Sequence, residues 1–128
     1  MEKYTVWEKS IQNPPETPWL DWIKMGFKKF EGRVFFKDWS KMKINDIIKF
    51  THGEKKVEVI IVELKYYPNF VEAYQELDNQ LVPGKINLLT NVIENISEED
   101  VKNMYLQYFM EDDIKNYGVV AVGIKPIE

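Results

Sequence analysis

The stretch "GFKKFEGRVFF", Gly26 to Phe36, joins the end of a helix to the start of a strand and places four charged side chains at the join. Upstream, "TPWLDWIKMG" reads as that helix. Thr17 suits the N-cap, Pro18 the first helical position and Gly26 the left-handed stop. Trp19, Trp22 and Ile23 fall on one face at helical spacing. Downstream, Lys29 to Phe36 reads as a strand. Its alternation sends Glu31 and Arg33 to one side, with Lys29 alongside, and Phe30 and Val34 toward a core. Lys28 lies at the handover, where strand parity does not fix its direction. Gly32, between the charges, leaves room for a ligand or another backbone to approach.

Arg33 is the sole arginine among seventeen basic residues. Lysine serves wherever a diffuse cation is wanted, so a lone arginine points to a need for a planar, forked donor. From spacing alone, Glu31 and Arg33 also fit a solvated strand face carrying an ion pair of little energetic value.

Working outward, "KIND" reads as a turn with Asn45 at positive φ, and "DIIKF" opens a second strand. "THGEKK" turns the chain into "VEVIIVELKYY", a strand rich in β-branched residues. Asn69 and Glu72 form a capping-box pattern ahead of a helix buried through Phe70, Ala73, Tyr74 and Leu77. "LVPGK" reads as a loop. Ser97 caps a further helix, with Val101, Met104, Tyr105, Tyr108 and Phe109 along its apolar stripe. "YGVVAVGIK" closes as a buried strand. Several strands, two or three helices and no regular βα alternation give an α+β class. A small mixed or antiparallel barrel flanked by helices satisfies that pattern.

At 128 residues the chain is large enough for one core, assigned here to residues 17–128, with residues 1–16, ending in "QNPP", as an N-terminal arm. A formal charge of −4 argues against a protein that coats nucleic acid through an extended basic surface. The absence of cysteine removes disulfides and thiolate metal sites, and a single histidine, His52, removes multi-histidine metal sites and His-based triads. No cofactor is expected. The charged start "MEKYTVWEKS" lacks a signal-peptide core, and no apolar run approaches a membrane span, so the expectation is an intracellular protein, cytoplasmic or nuclear, with no membrane partner.

The ordered set "GFKKFEGR", "WSKMKINDIIKF" and "YGVVAVGI" resembles the ASCH domain, a family of PUA-like β-barrels. The family pattern G-x-K-x-x-E-x-R is matched by Gly26, Lys28, Glu31 and Arg33. "INDIIKF" supplies Asp46, Ile48 and Phe50 of the next motif, with Asn45 in place of a glycine. "YLQYFMEDDIKNYGVVAV" resembles the family's closing helix, loop and strand, so the likeness runs over roughly residues 18–125.

The resemblance implies a cleft lined by Lys28, Lys29, Glu31 and Arg33 that accepts RNA, a nucleotide or a modified nucleobase. Trp39, just after the signature strand, and Tyr117, just before the last one, are then candidates to stack on a base at its rim; such stacking is worth about 1–3 kcal/mol. Some ASCH proteins are amidohydrolases in which a threonine follows the motif lysine; here that position is Lys29, which cannot replace a hydroxyl in ester-type acyl transfer. The alternatives are a hydrolase of the same fold, acting on a nucleoside amide or on RNA with Lys28 as general base and Glu31 assisting, and a protein-interaction module whose pocket is vestigial.

Overall fold

A computed structural model describes residues 3–127 of the chain; residues 1–2 of the expected arm and residue 128 lie outside them. Five strands build one mixed sheet: β1 (Val6–Ser10), β2 (Phe30–Val34), β3 (Ile47–His52), β4 (Lys55–Tyr67) and β7 (Val119–Pro126). Their order is β1-β3-β4-β7-β2, with β1 parallel to β3 and every other pair antiparallel. A short separate hairpin joins β5 (Lys85–Asn87) to β6 (Val92–Glu94). Four α-helices, α1 (Trp19–Met25), α2 (Phe70–Leu77), α3 (Glu98–Leu106) and α4 (Glu111–Tyr117), and two short 3₁₀ helices, Lys37–Ser40 and Asp78–Gln80, complete the described residues. The protein is α+β, as expected, with one α-helix more than the pattern indicated. The extra one is α4, which stands where the sequence reading placed a loop.

The sheet curls into a half-barrel. The pairing of β4 with β7 slips between Ile61 and Glu63, and a bulge of this kind bends its strand and raises the local twist. Opposite the slip, a side chain at Gly123 would press within 2.9 Å of Glu63 Cβ and 3.0 Å of Phe30, so the bend is packed too tightly for any other residue. β7 lies between β4 and β2 and is buried from Val119 to Ile124, which accounts for its unbroken apolar run. Helix α1 packs against β3, β4 and β7 through Leu20, Trp22 and Ile23, all fully buried. Each contributes roughly 1.5–3 kcal/mol of apolar burial relative to exposure.

Two edges remain, β1 and β2, and the curl brings them together: Arg33 of β2 donates from Nη2 to the Ser10 carbonyl of β1 at 3.1 Å. This corrects the expectation of an arm over residues 1–16. Residues 6–10 are a sheet strand, Ile11 is in the core, and Ile11 N–H donates to the Thr51 carbonyl at 3.0 Å. The anchor is Asp46, whose carboxylate accepts from Thr5 N–H at 2.9 Å and from Trp7 Nε1–H at 3.0 Å.

Helix ends follow the sequence in three places and depart in one. Gly26 adopts φ +83°, Asn69 accepts from Glu72 N–H at 2.9 Å, and Ser97 accepts from Asp100 N–H at 3.1 Å. Thr17 does not cap: Pro18 occupies the N-cap position without a side-chain bond, and Thr17 is buried. The turn residue Asn45 takes φ +79° as expected.

Candidate functional site

The site forms where the half-barrel fails to close. After the left-handed turn at Gly26, the N–H groups of Phe27 and Lys28 both return to the Trp22 carbonyl, at 2.9 and 3.2 Å. That fold-back throws Lys28 inward, against the helix it has just left. Its ammonium lies 5.1 Å from the Trp19 ring centre and donates to the Leu81 carbonyl. Lys29 is left outside. Its N–H and carbonyl are taken by Gln80 O and Ile124 N–H, and its side chain is exposed beside a different surface cavity, shared with Glu63 and Lys125.

Strand β2 then begins, and Glu31 and Arg33 project together. Glu31 carries the arrangement. Its Oε1 lies 3.4 Å from Lys28 Nζ, and its Oε2 accepts from Arg33 Nε at 3.0 Å and Nη2 at 2.9 Å. The side chains of Lys28 and Glu31 are 1% and 8% exposed, and Arg33 18%, so one carboxylate holds two cations largely out of water. Burial pushes the Lys28 amine below its ordinary pKa, against the pull of Glu31, which favours the charged form. The Arg33 guanidinium lies over the Trp39 ring at 4.7 Å. With Nε and Nη2 committed to Glu31 and Ser10, Nη1 is engaged by no hydrogen bond among the described residues.

Lys28, Glu31 and Arg33 converge on a half-open cavity of about 160 Å³ between the two sheet edges. Ser10, Ile11 and Gln12 form one wall, and Trp19 from α1 another. Helix α3 contributes Tyr105, and the residues just after it contribute Tyr108 and Phe109. The volume corresponds to roughly five waters at ~30 Å³ each, or one flat ring system.

Three expected ligand contacts are not among the residues that line this cavity. Lys29 points elsewhere, as described above. Trp39 is buried, stacked on Phe50 at 6.4 Å, and supports Arg33 from behind instead of offering a free face. Tyr117 is exposed at the end of α4, packed on Phe36 at 5.3 Å. In their place the cavity uses Trp19 and Tyr105, both of which the apolar stripes marked only as core. What distinguishes Tyr105 is its hydroxyl, which is buried and has no hydrogen-bond partner among the described residues.

Comparison with known proteins returns structures rather than functions. No protein-family model and no curated protein matches the chain. The crystal structure of hypothetical protein PH0355 superposes with a TM-score of 0.79 at 30% identity, covering 96% of this chain and 100% of that one. The solution NMR structure of protein PF0455 from Pyrococcus furiosus gives a TM-score of 0.68 at 29% identity, over 97% and 99% of the two chains. The 4% outside the first match is about five residues of 128, too few to leave residues 6–16 out of the common fold. At 30% identity over the whole of that chain, the protein belongs to one family with hypothetical protein PH0355.

Proposed function

We propose that the chain is an ASCH-type domain whose cavity takes up a single base, free or as part of a nucleotide or RNA, and that it binds without turning its ligand over. The observation carrying this reading is the pairing of a free guanidinium edge, Arg33 Nη1, with aromatic walls in a cavity sized for one ring. A planar donor beside ring faces suits a heterocycle with acceptors on its edge. Glu31 acts as the orienting group for Arg33, since both of its oxygens are already engaged. Lys28 supplies positive charge from behind the carboxylate.

The amidohydrolase alternative lacks the threonine that follows the motif lysine. Position 29 lies outside the cavity, Thr17 is buried elsewhere, and Ser40 donates to the Lys37 carbonyl at 2.7 Å. The side-chain hydroxyls that do line the cavity belong to Ser10, Tyr105 and Tyr108.

The test is a thermal-shift and NMR screen of free nucleosides, modified nucleosides and short single-stranded RNAs. A selective ligand at a hundredfold excess over its Kd adds about 2.7 kcal/mol of stability. Arg33→Lys keeps the charge but loses the fork, and should weaken binding on the order of ten- to a hundredfold, equivalent to about 1.5–3 kcal/mol. Acetylcytidine incubated with the protein should release no cytidine. Robust release, or equal affinity for wild type and Arg33→Lys, overturns the reading.

A further inference from the structure

One residue lining the cavity beside Arg33 has its side-chain hydrogen-bonding capacity wholly unspent among the described residues. Glu31 is the cavity's carboxylate, and both oxygens of Glu31 are already engaged, by Lys28 and Arg33. Beside it, two residues that line the cavity keep unspent groups: the N–H donors on Arg33 Nη1 and the buried hydroxyl of Tyr105. The Arg33 guanidinium keeps its charge throughout, so a cationic ring would meet it directly.

Tyr105 is held in place. Its ring stacks on Phe70 at 3.9 Å with 5° between planes, and Phe109 covers the same cluster. The residue is 6% exposed, and its hydroxyl reaches the backbone of β2 because position 32 is glycine: a Cβ there would stand 3.3 Å from Tyr105 Oη. A ring fixed this way cannot turn its hydroxyl out to solvent. A buried hydroxyl without a partner destabilises the protein, whereas phenylalanine would keep the stacking and carry no such penalty.

We infer that Tyr105 determines the ligand class of this cavity: its hydroxyl and Arg33 Nη1 together select a planar ring bearing a carbonyl or oxyanion acceptor, and reject a ring of the same size that can only donate. The inference rests on the cavity being a binding site, but not on the ligand being a base. A donor-only ring would leave the Arg33 donors unpaired, since the tyrosine hydroxyl can accept but guanidinium cannot, and a cationic ring would also meet the guanidinium charge.

The experiment uses the full chain with three ring-sized probes, uracil, benzoate and benzamidine, followed by NMR shifts of the Gly32 and Tyr105 amides. Uracil and benzoate should bind and benzamidine should not. Tyr105→Phe should bind uracil about three- to tenfold more weakly, the loss of one neutral hydrogen bond, and benzoate about ten- to a hundredfold, because its acceptor is charged. The same variant without ligand should melt at or above the wild-type temperature, because a structural hydroxyl would move stability and affinity in the same direction. If nucleosides fail in the wider screen while benzoate binds and depends on Tyr105, the inference stands and the base reading falls. It is overturned if Tyr105→Phe melts lower, if uracil and benzoate affinities stay within twofold of wild type, or if benzamidine binds as well as benzoate.

Discussion

At Lys28, Glu31 and Arg33 three charges leave water together, and the arrangement depends on the carboxylate more than on either base. Glu31→Gln removes the countercharge of a lysine side chain that is 1% exposed. Breaking a buried pair from one side costs about 3–5 kcal/mol, because the remaining charge is left unpaired. The pH dependence carries a sign. Burial lowers the folded-state pKa of Lys28, so between that value and the ordinary ~10.4 the unfolded chain binds more protons than the folded one. Stability therefore rises with pH across this window, and Lys28 exerts its full cost below it. With Glu31→Gln the opposing pull is gone, so the rise should start at lower pH and be larger. Urea unfolding of both proteins from pH 7 to 10 measures this, and the difference between them isolates Lys28 from other titrating groups. Parallel curves would mean that water reaches the amine.

Among the elements, β1 shows how far sequence pattern reaches. Its alternation is present, with Trp7 and Lys9 half-buried between exposed neighbours, but the strand is short, charged and next to "QNPP", so it reads as an arm. Its place is fixed by Asp46, about forty residues away, and no local signal announces that. The β5–β6 hairpin was missed because it is short and β6 is exposed throughout. Helix caps at Gly26, Asn69 and Ser97 were legible since each is settled within four residues. Lys28, Glu31 and Arg33 were legible as a motif, yet the inward turn of Lys28 comes from the fold-back onto Trp22, which spacing does not encode. Tyr105 was legible as buried; whether its hydroxyl finds a partner is decided by tertiary packing alone. The Asp46 anchor makes its own prediction. Burial raises its pKa, but the donors Thr5 N–H, Trp7 Nε1–H and Lys43 N–H outweigh this and hold the carboxyl below its ordinary value. Its contribution is then complete above the unfolded pKa of ~3.9 and is lost as pH falls through the lower folded value. Asp46→Asn should cost about 1–3 kcal/mol at neutral pH. Amide exchange in Val6–Ser10 should quicken before the rest of the sheet responds. Uniform exchange across all strands would show that β1 is held by its ladder to β3 alone.

For the molecule as a whole, the balance of charge sets what kind of nucleic-acid contact is available. The formal charge is −4, and Lys9, Lys49, Lys55, Lys65 and Lys85 each lie within 4 Å of a carboxylate. Exposed pairs like these add little stability, and of the seventeen basic residues only Lys28 and Arg33 line the cavity. If the cavity takes one base, with Arg33 as the main cation facing the ligand, then one or two phosphates at most are engaged. For single strands log K falls with log salt at about −0.7 per phosphate neutralised, so a slope between about −0.7 and −1.4 is expected. Raising salt from about 50 to 200 mM should then weaken a short single-stranded RNA only about three- to sevenfold, against roughly 10³- to 10⁵-fold for a protein gripping six to ten phosphates of a duplex. The free nucleoside, which has no phosphate, should bind with no salt dependence and within about tenfold of the oligonucleotide. Fluorescence anisotropy over a salt series, beside a nucleoside titration, gives both numbers. A slope steeper than about −4 would mean that the chain tracks a backbone over a surface outside the cavity, and single-base capture would no longer describe the binding.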